Sequence, residues 1–256
     1  MLSEIKGGHV RSETHNGITT IEFFHPQSNS LPGRLLEALT HEVRRAGDDS
    51  ATRVVILRSA GEKAFCAGAS FDELLAIENP QQGLQFFSGF AHLINAMRKC
   101  PKFIILRVQG KCVGGGVGLA AAADYAIAIE GADIKLSELA IGIGPFVVGP
   151  AVERKMGLAA FSSLSIDATS WRNAEWARRR GLYAELHTGS EQMDESIGRL
   201  AATLAHSNPE AMALLKENFW KGTEHWDHLL PERAAISGRL VLSDFTRNAI
   251  SQFRKK

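Results

Sequence analysis

The sequence has few cysteines and no long hydrophobic run. Cys66, Cys100 and Cys112 are its three cysteines; an odd number without metal-ligand spacing indicates neither a disulfide framework nor a zinc site. They are typical of small buried hydrophobic residues in a reducing compartment. No apolar stretch reaches the roughly 18 residues that a membrane span needs, and the opening MLSEIKGGHV lacks the apolar core of a signal peptide. We therefore expect a cytoplasmic protein.

An excess of one charge sign is absent too. The chain has 29 basic and 28 acidic side chains, for a formal net charge of +1. This balance gives no electrostatic basis for a nucleic-acid or membrane partner. Hydrophobic residues make up 45% and charged residues 22% of the 256 positions, which is ordinary for a globular protein with one sizeable core.

Strand and helix patterns alternate over the first 150 residues. Asn16-Gly17 predicts a tight turn between two strands, and leucines at helical spacing follow in residues 31–49. Short apolar runs typical of buried strands then occur at RVVILRSAG, KFIILRVQG and DYAIAIE. The order β-β-α-β-α-β-α-β predicts an α/β fold. Strand signals fade after residue 150, so we expect a helical C-terminal region.

A cluster of glycines and alanines, KCVGGGVGLAAAADYAIA at residues 111–128, raises three alternatives: close packing, a phosphate cradle, or an exposed backbone amide. GVGLAA fits the G-x-G-x-x-A dinucleotide pattern. The next strand, however, begins near Asp124, and Glu130 comes too early to bind a ribose. No other nucleotide or hydrolase motif occurs. HWDH at residues 225–228 could place two imidazoles on one helix, but no third ligand is indicated, so no metal site is predicted.

The favoured alternative is an oxyanion site. Glycine lets a backbone amide approach a ligand closely, and a helix N-terminus presents free N–H groups. A second turn of small residues, in KAFCAGASFDEL at residues 63–74, also follows a strand and precedes a helix start. Each turn could contribute one N–H to a carbonyl oxygen that becomes an enolate. Loss of one such donor typically costs about a hundred- to a thousandfold in rate.

Five stretches resemble, in chain order, segments of one known family. HPQSNSLPGRLLEAL is similar to R-P-x-x-x-N-A-L-x-x-x-L, and AFCAGASFDEL to A-F-(S/A/C)-A-G-A-D-L-x-E-L. GKCVGGGVGLAAAADYAIA resembles G-x-x-x-G-G-G-x-E-L-A-x-x-x-D-x-x-I-A, and SELAIGIGPFVVGPAVERKMG resembles a stretch with a catalytic glutamate. LVLSDFTRNAISQFRKK resembles S-x-D-x-x-E-x-x-x-A-F-x-x-K-R. The chain is thus identified as a member of the crotonase family, the enoyl-CoA hydratases and isomerases.

The resemblance implies a crotonase-like spiral of ββα turns with a C-terminal helical oligomerisation region. We expect an acyl-CoA-binding core at residues 1–195 and a helical trimerisation region at residues 196–256, giving a homotrimer or a dimer of trimers. An acyl-CoA thioester is the implied substrate, without a separate cofactor. By position, the oxyanion donors would be the N–H groups of Ala67 and Gly115, and Gly114 and Gly116 could serve close packing.

The sequence departs from the hydratases at one catalytic position. They carry a glutamate where this chain has Gly118, whereas their second glutamate corresponds to Glu138. Hydration divides its proton transfers between two carboxylates, but moving a proton between the α- and γ-carbons needs one base. We therefore favour Δ3-Δ2-enoyl-CoA isomerisation with Glu138 as the base, its pKa raised by apolar walls such as Ile141 and Phe146.

Two alternatives remain open. One is a hydratase or lyase acting on a branched or carboxylated enoyl-CoA, its missing carboxylate supplied by Asp72, Glu73 or Glu78. The other is a non-catalytic acyl-CoA-binding protein, against which the presence of both small-residue turns and Glu138 argues.

Contacts to the CoA are predicted mostly through backbone. Family position also places Lys255 near the 3′-phosphate of a neighbouring subunit's ligand, although this residue could equally belong to a solvated tail, and Ser70 stands where the family often has aspartate. Trp171 and Trp176 are typical of core or interface anchors. The residues expected to border substrate or CoA are Gln27, Ser28, Asn29, Phe65, Ala69, Ser70, Phe71 and Phe146.

Overall fold

The computed structural model describes residues 3–5 and 7–253; Lys255 lies outside the described residues. The strands are β1 (Ser3–Ile5), β2 (Gly8–His15), β3 (Ile18–Phe24), β4 (Val54–Ser59), β5 (Ala64–Cys66), β6 (Phe103–Val108), β7 (Lys111–Val113), β8 (Tyr125–Ile129), β9 (Ile134–Lys135) and β10 (Glu185–His187). The helices are α1 (Gly33–Asp48), α2 (Phe71–Ala76), α3 (Pro80–Lys99), α4 (Gly115–Ala122), α5 (Gly149–Met156), α6 (Leu158–Ile166), α7 (Ala174–Arg179), α8 (Ser190–Ala205), α9 (Pro209–Phe219), α10 (Trp226–Leu240) and α11 (Asp244–Phe253), with a 3₁₀ helix at Leu139–Ile141.

Two sheets organise the described chain. The larger has the order β1-β2-β3-β4-β6-β8-β10, and the smaller has the order β5-β7-β9. β1, β2 and β3 pair antiparallel, with the predicted turn at Asn16-Gly17, and all other pairings are parallel. In three successive units a long strand of the large sheet is followed by a short strand of the small sheet and then by a helix. This arrangement is the expected ββα spiral.

The large sheet is buried on both faces, as its continuous apolar strands predict. Val54, Ile105 and Ile127 form a cluster with Met193 and Ile197 of α8. The alternate residues of the strands face the main core, which packs under α1, α3 and α4. The main cluster also includes C-terminal residues, namely Trp226, Leu230, Ala234, Val241 and Ile250.

The start and end of α3 follow directly from its sequence. Asn79 accepts a hydrogen bond from the Gln82 N–H at 3.0 Å, and Pro80 begins the helix, an arrangement that satisfies free amides at a helix start. Further along, Gly83 contacts Gly238 of α10: a Cβ atom on Gly83 would lie 2.5 Å from the Gly238 carbonyl oxygen. The two glycines let α3 and α10 approach backbone to backbone.

The structure differs from the sequence-based expectations in three ways. The small sheet was not predicted, because its strands have only two or three residues and no readable alternation. β10 was missed for the same reason, although it pairs with β8 in the large sheet. The expected division at residue 195 falls inside α8. None of the helices in residues 3–5 and 7–253 has the length and apolar character of a membrane span.

Candidate active site

The small sheet brings the candidate residues to one edge. β5 leads into the turn at residues 67–70, β7 into Gly114 and Gly115, and β9 into the segment that carries Glu138. Because the three strands are parallel and adjacent, their carboxyl ends meet. Sites on α/β folds commonly form where parallel strands end in this way.

A narrow cavity of about 60 Å³ lies at this edge. Glu138 is the one ionisable side chain among the described residues that line it. The remaining lining is mostly apolar or small: Ala67, Gly68, Ala69, Phe71, Leu74, Phe87, Phe90, Val113, Gly114, Gly115, Ser137, Ile141, Gly144, Pro145, Phe146, Val147, Val148 and Ser237.

The predicted role of Ala67 as an oxyanion donor is contradicted by its hydrogen bond. Its N–H donates to the Ser28 carbonyl oxygen at 3.1 Å. The next peptide unit is arranged differently, because the Gly68 carbonyl accepts from the Leu31 N–H at 2.8 Å. In a trans peptide the N–H points opposite to the carbonyl, so the Ala69 N–H is directed away from Leu31. Within residues 3–5 and 7–253 no acceptor bonds it.

Gly68 lets the two turns come together. Its φ of +87° is favourable for glycine alone, and a Cβ atom there would lie 3.1 Å from the Val113 carbonyl oxygen and 3.6 Å from the Gly115 nitrogen. The turn after β5 therefore contacts the turn after β7. This contact places the amides of Ala69 and Gly115 beside the same cavity.

Gly115 presents its amide from the first position of α4. The Gly114 carbonyl accepts from the Gly118 N–H at 3.1 Å and so points along the helix, which directs the Gly115 N–H out of the helix N-terminus. A Cβ atom on Gly115 would collide with the Phe90 ring. Glycine is thus required here both for access to the amide and for packing under α3.

The absence of a side chain at Gly114 leaves room for the Glu138 carboxyl group and does not serve helix packing. Its φ is +53°, and a Cβ atom there would lie 3.0 Å from Glu138 Oε1. Gly116, by contrast, packs closely: its Cβ position lies 2.8 Å from Cys66 Cβ. The predicted close packing therefore holds for Gly116, whereas Gly114 leaves room for Glu138.

Glu138 carries a buried, unpaired carboxyl oxygen. Oε2 is inaccessible to solvent and has no hydrogen-bond partner among the described residues. Burial raises the pKa of Glu138 from 4.5 to about 7, partly opposed by a hydrogen bond to its own backbone N–H. Apolar neighbours in the cavity, such as Ile141 and Phe146, account for this desolvation. A carboxyl group with a pKa near 7 can both accept and return a proton at neutral pH.

The position of the absent carboxylate is filled by an apolar side chain. A Cβ atom on Gly118 would lie 2.5 Å from Val148 Cγ1 and 2.8 Å from Val148 Cβ. A glutamate at residue 118 therefore has no room while Val148 is present.

The three carboxylates considered as replacements lie elsewhere. Asp72 Oδ2 accepts from Gln27 Nε2 at 2.8 Å, and Glu73 Oε2 accepts from the Gly33 N–H at 2.7 Å. Glu78 is exposed. None of the three lines the cavity of Glu138.

The side chains of several predicted CoA-contact residues have structural roles. Asn29 Nδ2 donates to the carbonyls of Ala60 and Ala64, both at 2.9 Å, which ties its loop to the β4–β5 connection. Phe65 is fully buried and packs edge-to-face on Phe23. The contacts of these two side chains are therefore made within the protein.

Ser70 is also buried, and its hydroxyl accepts from the Glu73 N–H at the start of α2. The side chains of Asn29, Phe65 and Ser70 are therefore engaged within the fold, and contact of their backbone with CoA stays a prediction. Ala69, Phe71 and Phe146 do line the cavity. Gln27 is exposed and donates to Asp72, and the Ser28 carbonyl accepts the hydrogen bond from the Ala67 N–H.

No sequence pattern indicated that the cavity is also lined by Phe87, Phe90, Val148 and Ser237. These residues lie on α3, directly before α5 and on α10, and they reach the cavity only through tertiary packing. Trp171 and Trp176 do not line it. The ammonium groups of Lys111 and Lys135 lie 4.7 and 4.4 Å from the centroid of the Trp171 ring. Over the described ranges, no three His, Cys, Asp or Glu side chains could hold a metal ion.

The fold has close relatives among solved structures. An enoyl-CoA hydratase from Bacillus halodurans superposes with a TM-score of 0.87 at 20% identity, covering 95% of this chain and 99% of that one. An enoyl-CoA hydratase/isomerase described as putative, from Acinetobacter baumannii, gives a TM-score of 0.84 at 21% identity, with 94% and 100% covered. The protein therefore has the crotonase fold.

Sequence comparison defines the family. The family model described as enoyl-CoA hydratase/isomerase matches residues 13–248. A carnitinyl-CoA dehydratase from Salmonella enteritidis PT4 is 33% identical over 205 residues, 80% of this chain and 77% of that protein. A (7aS)-7a-methyl-1,5-dioxo-2,3,5,6,7,7a-hexahydro-1H-indene-carboxyl-CoA hydrolase from Mycobacterium tuberculosis is 27% identical over 206 residues, 78% and 79% of the two chains. The chain belongs to the enoyl-CoA hydratase/isomerase family and is an acyl-CoA-processing enzyme.

Proposed function

We propose that the protein isomerises a Δ3-enoyl-CoA to the conjugated Δ2-enoyl-CoA, with Glu138 as its sole base. The observation that carries the proposal is the lining of the cavity, where Glu138 is the one ionisable side chain among the described residues. The backbone amides of Ala69 and Gly115 border the same cavity, have no acceptor among the described residues and can bind the thioester oxygen.

The proposed reaction begins with removal of a proton from the α-carbon by the Glu138 carboxylate. The electron pair of the broken C–H bond passes into the thioester, and the resulting enolate oxygen accepts hydrogen bonds from Ala69 and Gly115. Such preorganised donors stabilise charge as it develops. The proton on Glu138 is then delivered to the γ-carbon, and the double bond moves into conjugation. No atom is gained or lost, and the carboxylate is regenerated.

The filled position beside Gly118 supports isomerisation over hydration. Hydration needs a water molecule that is oriented and deprotonated, work that two carboxylates share in this family's hydratases. Here Val148 occupies the space into which residue 118 would project. Asp72 and Glu73 hold other partners outside the cavity, so they do not replace the missing group.

A second candidate is dehydration of a β-hydroxyacyl-CoA. The observation that favours it is the 33% identity to a carnitinyl-CoA dehydratase. In that reaction Glu138 would take the α-proton and return it to the β-hydroxyl group, which would leave as water while the α,β double bond forms. The same oxyanion donors would serve both reactions, so the cavity geometry is compatible with either.

For the CoA moiety, we propose a path from the cavity mouth along Phe71 towards the loop of Gln27 and Ser28. Phe71 is 42% exposed beside the cavity, and Gln27 is exposed on the neighbouring loop. A partly exposed aromatic side chain at a cavity mouth can cover the apolar part of a pantetheine.

The test is ultraviolet absorbance of the conjugated thioester with three substrates: a β,γ-enoyl-CoA, an α,β-enoyl-CoA and a β-hydroxyacyl-CoA. Isomerisation predicts rising absorbance with the first substrate and little change with the others. Glu138→Gln should lower the rate about a hundred- to ten-thousandfold. Glu195→Gln, an exposed position on α8, is the control and should retain full activity. Rising absorbance with the hydroxyacyl-CoA alone would establish the dehydratase instead.

The pH dependence gives an independent check. The carboxylate form of Glu138 is the base, and its pKa in the protein is about 7. We therefore expect kcat/KM for the β,γ-enoyl-CoA to rise with pH up to about 7 and to level off above it. A profile that is flat down to the ordinary value of 4.5 would contradict burial of the working carboxylate.

A further inference from the structure

Among the described residues, Ser237 of α10 and Ser196 of α8 are the two serines that are buried on a helix. The residue exposure of Ser237 is 1%, and it lines the cavity of Glu138. The Ser196 hydroxyl donates to Glu185 Oε2. The Ser237 hydroxyl bonds to none of the described residues.

An unpaired hydroxyl is unfavourable at such a buried position, because burial removes its hydrogen bonds to bulk water. Ser137 also lines the cavity but is only half-buried. Of the two cavity serines, Ser237 is therefore the one that depends more on a hydrogen-bond partner within the cavity.

The position of Ser237 is fixed by the contact between α3 and α10. Gly238, its neighbour, meets Gly83 backbone to backbone: a Cβ atom on Gly238 would lie 2.6 Å from the Gly83 carbonyl carbon. This close approach brings α10 against the same helix that supplies Phe87 and Phe90 to the cavity wall. The Ser237 hydroxyl is thus held among apolar side chains by α10, which packs closely on α3.

We propose that Ser237 donates a hydrogen bond to an oxygen on the acyl group of the substrate, which makes the preferred substrates acyl-CoAs with a carbonyl or hydroxyl oxygen beyond the β-carbon. The inference rests on the proposed function, since it takes the cavity as the acyl site. A purely hydrocarbon chain would leave this hydroxyl desolvated and unpaired. A chain with an oxygen at the matching carbon would satisfy it, and sites built this way discriminate strongly against the analogue without the oxygen.

The test uses direct binding of saturated acyl-CoAs, which the enzyme cannot isomerise. The probes are hexanoyl-CoA, γ-oxohexanoyl-CoA and δ-oxohexanoyl-CoA, measured by titration calorimetry. We expect at least one oxo compound to bind the wild type about tenfold more tightly than hexanoyl-CoA. In Ser237→Ala the oxo compound and hexanoyl-CoA should bind with about equal Kd values, and hexanoyl-CoA binding should be retained.

One further variant serves as the control. Ser251→Ala removes a helical serine outside the cavity and should retain the preference for the oxo compound. Equal binding of the three probes by the wild type would overturn the inference, as would a preference that survives in Ser237→Ala. Absence of binding by all three would overturn the proposed acyl-CoA site and, with it, the role of Ser237. Retained hexanoyl-CoA binding shows that the Ser237→Ala protein is folded.

Discussion

Replacing Glu138 by glutamine should make the protein more stable at alkaline pH, although the variant is catalytically impaired. The carboxyl group is held in an apolar cavity with Oε2 unpaired, and burial raises its pKa from 4.5 to about 7. Folding therefore disfavours the ionised form. Glutamine has nearly the same shape and carries no charge, so it avoids this penalty.

The magnitude follows from the two pKa values. Below pH 4.5 the carboxyl group is protonated in the folded and unfolded states, and the wild type bears no penalty. As the pH rises from 4.5 to about 7, the unfolded state loses its proton first, and the wild type loses about 1.4 kcal/mol of stability per pH unit. Above that range the loss levels off near 3 kcal/mol.

The assay is a series of thermal melts, followed by tryptophan fluorescence, at pH values below 4.5, between 4.5 and 7, and above 7. For a chain of this size the gain corresponds to roughly 6–12 °C in Tm for Glu138→Gln over wild type. The gain should be absent at the lowest pH. Glu195→Gln should show no pH-dependent gain. A Tm difference that is the same at every pH, or a less stable Glu138→Gln at alkaline pH, would refute the desolvated carboxylate.

Three further predictions follow from the packing around the cavity. Gly115→Ala forces a methyl group into the Phe90 ring and so displaces the Gly115 amide. We expect the isomerase assay to show a rate loss of about a hundredfold or more; unchanged activity would contradict the role of the Gly115 N–H as an oxyanion donor. Gly118→Ala should lower the free energy of unfolding by about 1–3 kcal/mol, because the added methyl group would lie 2.5 Å from Val148 Cγ1. Adding Val148→Ala to the same chain should recover part of this loss in chemical denaturation, and additive effects of the two substitutions would contradict the contact. We expect the protein to form the trimer or hexamer implied by its family through an apolar surface that includes Ile166, which is 77% exposed; Ile166→Glu should weaken the assembly in light scattering, and a monomeric wild type would contradict it.

The main features of the fold could be read from the sequence because they depend on local patterns. Apolar runs of five or six residues predicted β4, β6 and β8, and helical spacing of leucines predicted α1. The short strands of the small sheet have no such pattern. Their pairing depends on the neighbouring long strands, so only the assembled spiral shows that β5, β7 and β9 form one edge.

The sequence by itself determined the glycine cluster, the lone Glu138 and the absence of a carboxylate at Gly118. It could not decide which amide is unbonded, since the difference between Ala67 and Ala69 lies in hydrogen bonds to a loop about forty residues away. Nor could it reveal that Val148 fills the place of the missing carboxylate, or that Ser237 reaches the cavity. These facts arise from contacts between segments distant in the chain, and such contacts exist only once the helices have packed on the two sheets.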